Sequence, residues 1–174
     1  FGGSAEIVNG GKKCSGDIKG VQPEYEKIQA PKMYYGRFLN NMDMAKRRRV
    51  CVIGKKIYKK LFPSGTDPCG KRVKVGNVYY QVVGVDYNSS SVNMGGNAEE
   101  AVTIPANVCR QIYGFGNNVH MIAAVGRGDA DMKQFEPEMR RVLARAHNLD
   151  PTDERAIQIM NTQVLFGIMD SLFK

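Results

Sequence analysis

Alternating apolar and polar residues near the amino terminus predict a β-hairpin. Residues 4–8 and 14–21 carry this alternation, and Asn9-Gly10 between them supplies the positive φ values that a tight turn requires. Residues 22–28 then predict a short helix, because Pro23 fits its first turn, where a missing N–H group costs nothing. The chain is expected to be extended again over residues 33–39.

The middle of the chain predicts a buried strand, a two-faced helix and a second hairpin. Residues 50–53 are all apolar and end at Gly54, which is typical of a strand buried on both faces. The helix that follows is predicted to have an apolar face and a basic face. These faces comprise Ile57, Tyr58, Leu61 and Phe62 on one side, and Lys55, Lys56, Lys59 and Lys60 on the other. Residues 73–75 and 78–85 flank Gly76-Asn77 and predict the hairpin.

The last third of the chain predicts short strands that alternate with helices. The strands are expected at residues 101–105, 119–125 and 156–160, and two of the helices at 106–113 and 164–173. A longer helix is predicted from apolar residues at helical spacing, namely Met132, Phe135, Met139, Val142, Leu143 and Ala146. Residues 88–97 are rich in Ser, Asn and Gly and predict a loop. Together the elements predict an α+β fold.

Composition suits a globular protein with a core, since 43% of the 174 residues are apolar and 24% are charged. The net charge of +8 leaves nucleic acid, an anionic membrane surface or an acidic protein open as partners. The basic run at residues 46–49 and the lysine face lack interleaved aromatic residues and any nucleic-acid-binding motif. We therefore expect a solvated basic surface, with anionic headgroups or an acidic partner favoured over nucleic acid.

Residues 65–72 nearly match a phosphate-binding P-loop. The spacing of Gly65, Gly70 and Lys71 is right, but Arg72 replaces the hydroxyl that would bind magnesium. A phosphate cradle also needs a strand before it and a helix after it, whereas this segment follows a predicted helix and precedes a predicted strand. The sequence therefore predicts a helix-to-strand turn that binds no nucleotide.

Other side chains that could carry chemistry are Cys109, His120, His147, Glu99, Glu100, Asp129 and Asp131. Cys109 and His120 are separated by an apolar segment, and His147 fits a helix end, where a cation offsets the helix dipole. The acidic pairs fall in loops or helix starts, where we expect them to be solvated. The sequence thus predicts no catalytic residue, no cofactor-binding residue, no metal ligand and no cofactor.

The four cysteines, Cys14, Cys51, Cys69 and Cys109, form no Cys-x-x-Cys motif. Cys51 and Cys109 lie within apolar elements, and free cysteine is among the most buried residue types. We expect both to be buried free thiols, while the pairing of Cys14 and Cys69 stays open.

Several segments, read in order, resemble the MacB-type periplasmic core domain of ABC transporter permeases. The resemblance lies in the order and spacing of short pieces across nearly the whole chain, none of which is specific alone. These pieces are residues 20–25, Gly36-Arg37-Phe38, 50–54, Leu61-Phe62, 67–71, 82–85, Ile104-Pro105, the predicted strand at 119–125 and the helix ending in Arg145-Ala146-His147.

The resemblance implies a porter-like α/β lobe with an inserted, mostly β lobe called sabre. Residues 1–32 would form the first, N-terminally incomplete part of the porter-like lobe, and residues 33–113 the sabre-like insert. Residues 114–174 would complete the porter-like lobe and lead to a transmembrane helix outside this chain. The parent would be an integral protein of the bacterial inner membrane, with this soluble domain on the periplasmic face.

The resemblance also implies a non-catalytic role, in which the domain couples ATP-driven membrane motions to the handling of a substrate or adaptor in export. The implied partners are an ABC ATPase subunit or domain acting through the full-length permease, a periplasmic adaptor or substrate, and a second permease copy, but not nucleic acid. A free-standing extracytoplasmic binding or adhesion module stays open as the alternative. An enzyme domain is disfavoured because nucleophile, base and metal ligands are lacking.

Overall fold

The computed structural model describes residues 3–87, 97–114, 118–126, 132–153 and 155–161. Its strands are β1 (Ser4–Asn9), β2 (Lys12–Val21), β3 (Met33–Gly36), β4 (Val50–Gly54), β5 (Arg72–Val75), β6 (Val78–Asp86) and β7 (Ala101–Pro105). Its helices are α1 (Glu26–Gln29), α2 (Asn41–Ala45), α3 (Lys55–Leu61), α4 (Ala106–Tyr113) and α5 (Met132–His147). Short 3₁₀ turns at Pro23–Tyr25 and Ala98–Glu100 precede α1 and β7.

The predicted hairpins, the buried strand and the mixed α and β composition are confirmed. Asn9 pairs with Lys12 beside the first turn, and Val75 pairs with Val78 beside the second. Every residue of β4 is buried, as its uninterrupted apolar run predicts. The local pattern of the sequence is therefore sufficient to place these elements.

Within the described residues, the seven strands form one sheet in the order β3-β6-β4-β7-β2-β1-β5. The long strand β6 has two partners along one edge, because its first residues pair with β5 and its last residues pair with β3. Its other edge pairs in parallel with β4. Since β5 also pairs with β1, six of the strands form a closed circuit of pairings, which leaves few strand edges unpaired.

The main core includes α3, whose predicted apolar face is confirmed. Ile57, Tyr58, Leu61 and Phe62 are all buried, and they belong to one cluster with buried residues of the strands such as Ile18. Burial of one such side chain contributes about 1.5–3 kcal/mol, so this face anchors α3 on the sheet. A second, smaller cluster joins Phe38 and Leu39 to Val50 and Val52 of β4.

Two of the predicted strands are wrong. Residues 118–126 and 156–160 adopt no regular structure, and among the described residues no strand pairs with either segment. Ile122 and Met160, which a strand would have paired or buried, are 63% and 72% exposed. A short apolar segment forms a strand only where a sheet edge accepts its backbone groups. Residues 88–96 of the predicted loop, Asp129, Asp131 and the helix predicted at 164–173 lie outside the described residues.

The chain divides into two compact units, Phe1–Ala123 and Ala124–Lys174. The sheet of the first unit draws strands from both sides of the expected lobe boundary between residues 32 and 33, since β2 pairs with β7 and β1 pairs with β5. The assignment of porter-like and sabre-like lobes stays a prediction.

The second unit contains α5, which ends at His147 as predicted. None of the helices in the described part of the chain has the length and apolarity needed to cross a bilayer.

Candidate functional site

Three backbone N–H groups of the loop at residues 65–71 already have acceptors, in the loop itself or in β6. The N–H of Cys69 donates to Asp67 Oδ1 (2.9 Å), that of Gly70 to the Val82 carbonyl (2.8 Å) and that of Lys71 to the Pro68 carbonyl (3.1 Å). The loop joins α3 to β5, which confirms the predicted helix-to-strand turn. Its amides are therefore not arranged as a phosphate cradle.

The basic face of α3 is largely exposed, as predicted, and two of its lysines also make specific contacts. Lys56 Nζ lies 2.8 Å from Glu100 Oε1 and 3.7 Å from Glu99 Oε2, so this acidic pair is also partnered by a lysine. The hydrogen bond from Lys56 lowers the pKa of Glu100. Lys55 Nζ lies 5.1 Å from the centre of the Tyr87 ring, a cation–π distance.

Cys51 and Cys109 are buried, as predicted, and both are free cysteines. Burial raises the pKa of each thiol, which keeps both in the neutral form at physiological pH. Cys109 and His120, which are apart in the sequence, line the same cavity. A neutral thiol is a poor nucleophile, so this pairing does not assemble a catalytic site.

That cavity, here called the Lys19 cavity, has a volume of about 410 Å³ and opens where β2 ends. Val21, Tyr25 and Ile28 contribute apolar wall, and α4 contributes Cys109 and Arg110. Lys19 is 5% exposed; burial lowers its pKa, while the nearby carboxylates of Asp17 and Asp86 oppose that shift. The cavity thus combines apolar walls with a few polar groups, the usual composition of a small-molecule site.

Asp86, also buried, fixes the segment that borders this cavity. Its Oδ1 accepts a hydrogen bond from the Lys32 backbone N–H (3.1 Å), and its Oδ2 accepts one from Gln29 Nε2 (3.3 Å). These bonds attach the connection between α1 and β3 to the carboxyl end of β6. No sequence pattern pointed to Lys19 or Asp86, because they are far apart in the sequence and lie on strands β2 and β6, which β4 and β7 separate in the sheet.

A second concave surface, here called the arginine pocket, has a volume of about 610 Å³. Its lining includes Arg37, which follows β3, and Arg48 and Arg49, which precede β4. The predicted basic run thus contributes Arg48 and Arg49 to a pocket. Arg37 was missed, because it is close to the run only in the folded chain.

The fully buried carboxylate of Asp43 contacts two of these arginines. Arg37 donates to both of its oxygens, from Nη1 at 2.7 Å and Nη2 at 3.1 Å, and Arg48 Nη1 lies 3.8 Å away. Asp43 also closes a capping box with Asn40 at the start of α2. Burial opposes ionisation of the carboxyl, but the hydrogen bonds from Arg37 and Asn40 outweigh burial and lower its pKa. Asn40-Asn41-Met42-Asp43 has the Asn-x-x-Asp spacing of a helix cap, and this spacing is the signal from which the sequence could have located Asp43.

Within the described ranges, no three side chains of His, Cys, Asp or Glu are grouped closely enough to hold a metal ion. The described residues form two concave surfaces: a largely apolar cavity lined in part by the buried Lys19, and a pocket lined by three arginines.

Known proteins similar to this chain are export permeases. The chain is 28% identical over 148 residues to the pyoverdine export ATP-binding/permease protein PvdT of Pseudomonas savastanoi pv. phaseolicola, which covers 84% of the chain and 22% of that protein. It is 24% identical over 148 residues, with the same coverage, to the macrolide export ATP-binding/permease protein MacB of Bdellovibrio bacteriovorus. The chain thus spans about a fifth of the length of these relatives.

Solved structures share the fold. The extracellular domain of the noncanonical ABC-type transporter YknZ from Gram-positive bacteria matches with a TM-score of 0.73 and 22% identity, over 91% of this chain and 76% of that one. The periplasmic region of MacB from Actinobacillus actinomycetemcomitans matches with a TM-score of 0.70 and 18% identity, over 96% and 72% of the two chains. The family model of the MacB-like periplasmic core domain matches residues 2–142, and the chain therefore belongs to that family.

Proposed function

We propose that the chain is the periplasmic part of an ABC export permease and has no catalytic activity of its own. In the full-length protein it would transmit ATP-driven motions of the membrane segments to a substrate or a periplasmic adaptor. The observation that carries this proposal is the family match over residues 2–142, together with the export named for PvdT and MacB.

Several further features support a binding and coupling role. The first unit has a sheet with a closed circuit of pairings and a continuous core, which suits an element that moves as a body. The surface offers a cavity and a basic pocket in which ligands or partner side chains fit. The buried thiols of Cys51 and Cys109 have raised pKa values, which disfavours nucleophilic chemistry.

The proposal includes partners and placement for the full-length protein. An ABC ATPase subunit or domain would act on this domain through the membrane segments, and a second permease copy would complete a dimer. The parent would be anchored in the inner membrane, with one membrane span before the chain and one after it. The lobe division at residues 32/33 and 113/114 belongs to the same proposal.

The test is a flexible insertion in the full-length permease expressed in its own host. Six Gly and Ser residues placed directly after Lys174 would interrupt rigid transmission from the membrane. We expect export to be lost while ATP hydrolysis by the associated ATPase continues. The matched control places the same insertion in the exposed Gly76-Asn77 turn, where an added Cβ meets nothing within 4 Å, and should keep export.

Two results would contradict the proposal. Export that is unchanged by the insertion after Lys174 would rule out mechanical transmission through that segment. A parent gene that encodes no membrane span on either side of the chain would favour the free-standing binding or adhesion module.

A further inference from the structure

We propose that the arginine pocket binds a phosphate group, carried by a small molecule or by a lipid headgroup. The binding groups are the guanidinium groups of Arg37, Arg48 and Arg49. This site is independent of the role in transport proposed above, and its failure would leave that role untouched.

The charges of the pocket favour an anion. Three arginines line it, and the carboxylate of Asp43, which contacts Arg37 and Arg48, is fully buried. Three positive charges are therefore set against one negative charge, and that negative charge is withdrawn from solvent. The side chains of Arg37 and Arg48 remain 42% and 48% exposed, so both guanidinium groups are accessible to a ligand.

The guanidinium group of Arg37 and the backbone of Arg48 and Arg49 are held in place before any ligand arrives. The bidentate bond to Asp43 and a further bond from Nη1 to the Phe38 carbonyl (2.8 Å) fix Arg37. Arg47 has a positive φ of 47°, and the Arg48 N–H donates to the Asp43 carbonyl (2.9 Å), which turns the chain toward β4. The Arg49 carbonyl accepts from the Gln81 N–H of β6 (2.9 Å). Preorganised donors bind with a smaller loss of conformational entropy.

The sheet itself creates the concavity. β6 changes partner here: Gln81 is the last residue paired with β5, and Gly84 is the residue that pairs with Gly36 of β3. Between these points the edge of β6 is bridged by Gly70, whose N–H donates to the Val82 carbonyl (2.8 Å), and by Arg37, whose N–H donates to the Val83 carbonyl (2.9 Å). The pocket thus lies at the gap between two strands that share one edge.

Phosphate fits this geometry better than a single carboxylate does. A phosphate offers three strong acceptor oxygens, and the planar guanidinium group forms paired hydrogen bonds with them. The volume of about 610 Å³ lies within the range of small-molecule sites, so the phosphate is expected to be part of a larger molecule. The P-loop-like segment contributes only Gly70 and Cys69 to the lining, and its amides are already engaged.

The test uses the 174-residue chain and two probes, inorganic pyrophosphate and vesicles of phosphatidylglycerol with phosphatidylcholine. Binding of pyrophosphate is measured by calorimetry, and binding to vesicles by co-sedimentation. The test variant is Arg48→Gln with Arg49→Gln, which leaves the Arg37–Asp43 pair intact. The control variant is Lys12→Gln with Lys59→Gln, which removes the same charge from exposed positions outside the pocket.

We expect the arginine variant to weaken binding of at least one probe by about tenfold or more, and the control variant to change it by less than about twofold. If the arginine variant binds pyrophosphate more weakly, the phosphate group belongs to a soluble compound. If it loses only binding to vesicles, the phosphate group belongs to a lipid headgroup. Equal losses in the two variants, or saturable binding of neither probe, would overturn the proposal. Hexaglutamate serves as the comparison ligand in the same calorimetry. Binding of hexaglutamate that the arginine variant loses and that pyrophosphate does not displace would also overturn the proposal, in favour of an acidic peptide.

Discussion

Helices α3 and α5 have apolar residues at the same helical spacing, but only α3 buries them. On α3, Ile57 and Leu61 are each 1% exposed, because strands from distant parts of the chain surround them. On α5, Phe135 is 45% exposed and Val142 is 61% exposed, while Ala144 is buried. The comparison shows that spacing predicts a helix, whereas burial depends on which distant segments cover it.

The two units therefore derive their stability from different sources. The core of the first unit is built from residues far apart in sequence, so its helices and strands should unfold together. Among the described residues, α5 has one buried residue, Ala144, and is attached to the segment that follows it by the hydrogen bond from Arg140 Nη1 to the Ile157 carbonyl (2.8 Å). All eight tyrosines lie between residues 25 and 113 and the chain has no tryptophan, so tyrosine fluorescence reports on the first unit alone.

The largest effect is expected for Gly36→Ala in the first unit. Gly36 has a φ of 66°, and an added Cβ would lie 2.1 Å from the Val83 carbonyl oxygen and 2.6 Å from Cys69 Sγ. Backbone strain and the clash together should lower the free energy of unfolding by about 3–5 kcal/mol. Urea unfolding followed by tyrosine fluorescence measures this loss.

Gly76→Ala is the matched control for that substitution. Gly76 also has a positive φ, 57°, but its Cβ position is open. Only the conformational cost of about 1 kcal/mol should appear. If Gly36→Ala and Gly76→Ala lowered the free energy of unfolding equally, the gap between β5 and β3 would not be packed as described.

Leu61→Ala and Val142→Ala test the comparison of the two helices directly. Leu61 is buried in the core, so its truncation should cost about 2–5 kcal/mol in the tyrosine-detected transition. Val142 is exposed, and its truncation should cost about 0.5 kcal/mol or less in helix unfolding followed by circular dichroism. A loss for Val142→Ala as large as that for Leu61→Ala would mean that α5 is covered in solution.

The pH dependence of the first unit should depend on Asp43. Because its pKa is lowered in the folded protein, its ionised form stabilises the fold above the ordinary carboxyl pKa of about 4, and that contribution is lost as the pH falls through the lowered value. The stability difference between the unchanged chain and Asp43→Asn should therefore shrink as the pH is lowered from about 7 to about 3. Glu138→Gln, in the second unit, is the control and should not alter the tyrosine-detected transition. If the stability difference between the unchanged chain and Asp43→Asn did not vary with pH, the Arg37–Asp43 pairing would be contradicted.

The smallest effect, with no change in stability, concerns the thiols. Cys14 and Cys69 are half-buried, whereas Cys51 and Cys109 are buried. Burial and the neighbouring Asp67 raise the pKa of Cys69 to about 11, so even the accessible thiols should react slowly at neutral pH. Labelling with iodoacetamide and mass spectrometry should modify Cys14 and Cys69 first, and Cys51 only after unfolding. Native labelling of Cys51 as fast as that of Cys14 would contradict the packing of β4.

Elements with a strong local signal could be predicted from the sequence. Both hairpins, β4 and α3 follow from alternation, turn residues and helical spacing, which act over a few residues. The failed strands at 119–125 and 156–160 are also short and rich in apolar residues, but they lack a partner edge among the described strands. Whether such an edge exists depends on long-range pairing, for example of Asp17 with Ala101, which no local pattern encodes.

The candidate sites were likewise predictable only where their residues are close together in the sequence. The basic run and the Asn40-x-x-Asp43 spacing were visible in the sequence, and they supply Arg48, Arg49 and the capping box. Arg37 and Lys19 owe their positions to the folded sheet: the first to the gap along β6, the second to the pairing of β2 with β7. A site assembled from different strands can therefore be recognised only from the structure, whereas a site within one turn can be recognised from the sequence.

Hydrogen exchange of the 174-residue chain, resolved by mass spectrometry into short peptides, tests the contrast between the two units most directly. The amides of β4 and β7 should exchange at least about a hundredfold more slowly than those of α5, because they open only when the whole first unit unfolds. Protection of α5 equal to that of β4 would contradict this conclusion, since it would show that both regions belong to one cooperative core.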